Sequence, residues 1–106
     1  MSINLDSMAS DFNCSIDDVK SLLTGVVSQV NSFVEIIEVS ITSSDFEAVK
    51  IASEMILQEV KSFHVSDITS AVSSLISASN SEDIDGVNNS FNSLKSAISD
   101  LNNSIS

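Results

Sequence analysis

Proline, arginine, tryptophan and tyrosine are absent, and the 106 residues include two Gly, one Cys, one His and four Lys. Without proline there are no proline kinks and no stiff proline-rich linker. A single cysteine, Cys14, excludes an internal disulfide framework and an all-cysteine zinc site. Four scattered Lys against 15 carboxylates leave a net charge of −11. Nucleic acid binding needs several cations to replace phosphate counterions, so that class of partner is excluded. An anionic membrane surface is disfavoured by the same arithmetic. No unbroken run of 18 apolar residues is present, which predicts that no segment spans a membrane. The start, Met1-Ser2-Ile3-Asn4-Leu5-Asp6, has neither the basic opening nor the apolar run of a signal peptide. These absences together predict a soluble cytoplasmic protein.

What is abundant is serine. There are 25 Ser and nine Asn, about a third of the chain. Such a composition usually marks a linker, but disorder requires low hydrophobicity. Here 42% of residues are apolar and the mean hydropathy is +0.26. The length suits one domain, in which about two thirds of the extended-chain surface becomes buried.

The apolar spacing is helical almost throughout. Residues 1–13, with Ile3, Leu5, Met8 and Phe12, read as a short helix or arm. Ile16, Val19, Leu23, Val26, Val30, Phe33, Ile37 and Ile41 follow at steps of three and four and predict a helix over 15–42, with Ser15 as N-cap. Asp17 and Asp18 favour its positive end. Gly25, inside this helix, is attributed to close approach of a neighbouring helix. Ser44-Asp45-Phe46-Glu47 reads as a capping box opening a helix over 45–62. Ser62-Phe63-His64-Val65-Ser66 reads as a turn, and Ser66 or a neighbour as the cap of a helix over 66–78. Ser77 to Ser81 reads as a polar break, and Ser79 with Glu82 as a second capping box. Ile84, Val87, Phe91, Leu94, Ile98, Leu101 and Ile105 alternate steps of three and four and predict a helix over 81–104. Short turns make consecutive helices antiparallel. The expected fold is all-α: one domain, an antiparallel up-down-up-down four-helix bundle with a short N-terminal helix or arm, packed near +20°.

Reactive chemistry is sparse. A serine nucleophile needs a base within reach; there is one His and no G-x-S-x-G elbow. Gly25 and Gly86 stand apart, so no phosphate-binding loop exists. His64 with Asp67 lacks further metal ligands, and Asp83 with Asp85 lacks the rest of a calcium loop. Cys14 has no Lys beside it in sequence and reads as a small packing residue or as part of the N-terminal arm. Neither an enzyme nor a cofactor site is expected.

The run Asp45-Phe46-Glu47-Ala48-Val49-Lys50, followed by a turn and two more helices, resembles the histidine-containing phosphotransfer (Hpt) domain, a four-helix bundle of this size. Aligned without gaps from Asp45, Val49 and Ile56 fall on the family's aliphatic positions. Val60 falls on its small residue, Phe63 on the Leu of its turn, and Ile68 on an aliphatic position of the next helix. The chemical positions depart from the pattern. Glu54 occupies the phosphoacceptor His position, Leu57 the Lys and Gln58 the Gly, and Ser53 stands where Ala precedes the His. The resemblance therefore implies the scaffold without phosphate relay.

Two functions follow as expectations. The first is an Hpt-like interaction module docking receiver domains of a two-component phosphorelay. Its face is Lys50, Glu54, Leu57, Gln58 and Lys61, at i, i+4, i+7, i+8 and i+11 of one helix. Glu54 there either imitates a phosphohistidine or is a plain surface residue paired with Lys50. The second is a helical assembly or secretion-associated protein that pairs with another helical chain, using Ile36 and Val39, which lie off the main stripe. An apolar cavity for a small lipid-like ligand is a third, weaker reading. Oligomeric state is left open.

Overall fold

The computed structural model describes residues 4–63 and 65–105. They form five helices: α1 (Leu5–Phe12), α2 (Ile16–Thr42), α3 (Phe46–Val60), α4 (Ser66–Asn80) and α5 (Ile84–Ile105). Among the described residues there is no strand. Ile3 and His64, read from sequence as part of the arm and of a turn, lie outside the described residues. The N-terminal segment is the helical alternative of the two expected, with Met8 and Ala9 buried.

Each long helix buries the stripe that its spacing marks. Val19, Leu23, Val30 and Ile37 of α2 join Val49, Ile56 and Val60 of α3, Ile68, Val72 and Leu75 of α4, and Val87, Leu94 and Leu101 of α5 in one core. The ends of two stripes are corrected: Ile16 and Ile84 are more than a third exposed, because the first turn of a helix projects beyond its neighbours. The core also takes in Ala52, Ala71 and Ala97 and the hydroxyls of Ser40, Ser53 and Ser79. Ser40 and Ser53 satisfy their buried Oγ by donating to the carbonyl four residues back, at 2.7 Å each.

α2 packs on α3 and α5, α3 on α4, and α4 on α5, so each of these four helices has two neighbours; α1 packs on α2. The long dimension, 42 Å, matches the roughly 40 Å length of a 27-residue helix such as α2. Phe12, at the end of α1, meets Phe63, just beyond α3, edge to face with ring centroids 5.4 Å apart.

The helix starts correct two capping assignments. Ser15 does cap α2, in a full capping box with Asp18. α3, however, is capped by Asp45, whose Oδ1 accepts from Ala48 N–H at 3.1 Å, and not by Ser44. Asp83 takes the same role for α5, accepting from Gly86 N–H at 3.1 Å, and Ser79 is an interior residue of α4. The cause lies at the preceding helix end. Ser44 and Glu82 adopt left-handed backbone, φ 54° and 52°, and close the α2 and α4 carbonyls with paired backbone bonds. A residue in that conformation cannot cap the next helix, so each cap falls on the aspartate that follows it, one residue past Ser44 and four past Ser79. α4 has no side-chain cap: Val65 occupies the position and is buried instead, while Ser66 is the first helical residue. Three bounds shift by two or three residues: α3 ends at Val60, α4 runs on through the expected break to Asn80, and α5 starts at Ile84; the starts of α2 and α3 and the end of α5 each move by one.

Candidate partner-binding face

The site expected from sequence lies on α3. That helix forms because Val49, Ala52, Ile56 and Val60 return every three or four residues to the core. Lys50, Glu54, Leu57, Gln58 and Lys61 are thereby left along one flank, a line about 16 Å long. Glu54, Gln58 and Lys61 are exposed and Lys50 is half-buried. Leu57 departs from the expectation: it is half-buried and packs against the core, so it borders the face from beneath. Among the described residues no ion pair joins Lys50 to Glu54. Lys61 is the C-cap of α3, its N–H bonded to the Leu57 carbonyl at 3.1 Å.

Two further apolar residues belong to this surface. Ile51 and Met55 are 49% and 48% exposed, beside Glu54 and Gln58 on the outside of α3. Their signal was present as two apolar residues that the stripe of Val49, Ala52, Ile56 and Val60 does not use. On α2, Ile36 and Val39, picked out as a second apolar patch, are 49% and 67% exposed. Ser53, next to Glu54, is fully buried and hydrogen-bonded into its own helix, which withdraws it from chemistry. Cys14 is half-buried against the core, as a small packing residue would be.

Two open hollows flank the helices. One, of about 630 Å³, runs between α4 and α5 and is lined chiefly by Ser and Asn, with Asp67 and Asp100 at one end. The other, of about 340 Å³, brings the α2–α3 link and Lys50 against Ser79, Asn80 and Glu82. Neither is the apolar cavity that a lipid-like ligand would require.

α2 also modifies a sequence expectation. By length and composition it is apolar enough to cross a bilayer, with mean hydropathy 1.3 over an 18-residue window of which 22% is buried. Polar residues, among them Gln29 and Asn31, break the apolar run, and the Leu, Val and Ile between them outweigh their hydropathy cost. No family model matches the chain, and neither does any curated protein or solved structure.

Proposed function

We propose that the chain is a cytoplasmic, non-catalytic protein-interaction module: an antiparallel up-down-up-down four-helix bundle of the Hpt-like type that docks receiver domains without carrying phosphate. Three proximities support the antiparallel order. Phe12, ahead of α2, touches Phe63, beyond α3. The α2–α3 link shares a hollow with the end of α4. Asp67, opening α4, shares a groove with Asp100, near the end of α5.

The observation that carries the functional reading is the outer ridge of α3. Exposed Glu54 and Gln58 stand there beside exposed Ile51 and Met55, a mixed apolar and polar surface of the kind partner proteins bury. A carboxylate at Glu54 in place of an imidazole gives recognition without a reversible phosphate carrier. Calorimetric titration against receiver domains from the same genome tests this. Binding is expected to at least one receiver, weakened at least tenfold by Met55→Lys or Glu54→Lys, with no phosphate appearing on the chain when the receiver is phosphorylated. Absence of binding to every receiver, or transfer of phosphate, would sink the reading. Pairing with another helical chain is the second reading, and the exposure of Ile36 and Val39 favours it.

A further inference from the structure

The groove between α4 and α5 shows which flank of a helix faces which neighbour. It is bordered by Asp67, Ser70 and Ser74 of α4 and by Ser90, Ser93 and Ser96 of α5. Each immediately precedes a core residue: Ile68, Ala71 and Leu75, then Phe91, Leu94 and Ala97. A residue one position before the core stripe is turned about 100° to one side of it. When neighbouring helices alternate in direction, these flanks meet at every second seam. The opposite flank, one position after the core stripe, meets at the seams between. Lys50 and Asn80, which follow buried Val49 and Ser79, accordingly share the hollow between α3 and α4.

The same offset assigns the α2–α3 seam. Leu22, Gln29 and Ile36 precede Leu23, Val30 and Ile37; Ala48, Ile51 and Met55 precede Val49, Ala52 and Ile56. Ile36 lies six residues before the end of α2 and Ile51 five after the start of α3. The two therefore stand at nearly one height, roughly 8–9 Å from the link. Where the α4–α5 seam presents serine, this seam presents Ile36, Val39, Ile51 and Met55, all about half exposed or more. Gly25 belongs to the same row of α2, preceding half-buried Val26, and a Cβ placed on it would have nothing within 4 Å. The backbone there is open to whatever lies along the seam.

Carboxylates border this apolar row. Glu35 is one turn from Val39 and Glu59 one turn from Met55, while Glu47 and Glu54, each also one turn from Ile51, lie toward Lys50, with Glu47 lining the same hollow as Lys50. Lys50 and Lys61 lie on the far flank of α3, and Lys20 and Lys95 are remote from it. A second copy of the chain would bring the same carboxylates and another charge of −11 against this border. We infer that the α2–α3 seam is a docking groove for an amphipathic helix of a partner protein, one whose apolar stripe is flanked by Lys or Arg. The inference rests on the antiparallel order proposed above and shares Ile51 and Met55 with the receiver-docking ridge, so Ile36→Lys, which lies outside that ridge, separates the two readings.

The test uses the full chain and two fluorescently labelled helical peptides with one shared Leu/Ile stripe, flanked in one by Lys and in the other by Glu. The Lys-flanked peptide is expected to bind, and the Glu-flanked one at least tenfold more weakly. Ile36→Lys and Met55→Lys are each expected to raise Kd at least tenfold with unchanged circular dichroism. The charge-matched Ser93→Lys, in the α4–α5 groove, is expected to leave Kd within twofold. Equal weakening by Ser93→Lys reveals non-specific attraction to an acidic protein and overturns the proposal. So does equal binding of both peptides, absence of binding, or a wild-type dimer that Ile36→Lys dissociates. Cysteines placed at Ile36 and Ile51 in a Cys14→Ser background separate the two levels. A short cross-linker joining them supports the helix order whatever the peptides do, and failure to join them overturns the seam itself.

Discussion

Two glycines in helices face opposite circumstances. Gly25 has open space where a Cβ would go, so the close helix approach expected for it inside the fold is not there. A Cβ on Gly86 would stand 2.6 Å from Asp83 Oδ2 and 3.2 Å from Ala78 Cβ. Glycine costs a helix interior about 1 kcal/mol relative to alanine. Gly25→Ala should therefore gain about that much. Gly86→Ala should gain nothing, because its methyl pushes aside the carboxylate that caps α5, itself worth about 1 kcal/mol. Urea denaturation checks the pair, and equal rises in midpoint for both would contradict this account. Ser79 is a third individual case: its buried Oγ has no hydrogen-bond partner among the described residues. As part of an S-x-x-E pattern it looked like a cap. Sequence shows a hydroxyl at the right spacing but not that the helix has yet to end.

Helix existence and phase were legible because the spacing of apolar residues is set by the 3.6-residue turn alone. The joints were less so. Ser44-Asp45 and Glu82-Asp83 each pair a left-handed residue that closes one helix with an aspartate that opens the next. The division of labour depends on backbone angles that serine or glutamate does not announce as glycine would. α1 was legible only as a choice between helix and arm. Its eight residues are too few to be stable alone. What fixes it is burial of Met8 and Ala9 and the contact of Phe12 with Phe63, 51 residues on. A double-mutant cycle of Phe12→Ala and Phe63→Ala should show coupling of about 0.5–1.5 kcal/mol by thermal or chemical unfolding. Strict additivity would remove the ring contact as the element's anchor.

At the level of the whole chain, 15 carboxylates offset by only four Lys repel one another in a particle only about 20 Å across its short axes. The repulsion is among exposed groups, so salt screens it over the Debye length, about 10 Å at 0.1 M. Raising NaCl from 10 to 500 mM should therefore raise Tm by several degrees, measured by circular dichroism. A fall would mean that attractive pairs outweigh the repulsion. The serine and asparagine content belongs to the same picture. Ser28, Ser32, Ser73, Ser93 and Ser96 sit exposed on helix surfaces, where they add neither charge nor helix propensity. Stability therefore rests on the core stripes.

Composition and spacing pointed to an all-α chain with four long helical segments and one aliphatic core, and left the N-terminal segment as helix or arm, because period and hydropathy are properties of local sequence. They also placed Lys50, Glu54, Gln58 and Lys61 on one outward flank of α3. They could not show that Leu57 is half-buried, that Ser40, Ser53 and Ser79 are inside, or that Ile51 and Met55 are left on the surface. Those outcomes depend on which neighbours cover each flank of a helix, and only the packing of helices distant in sequence decides that.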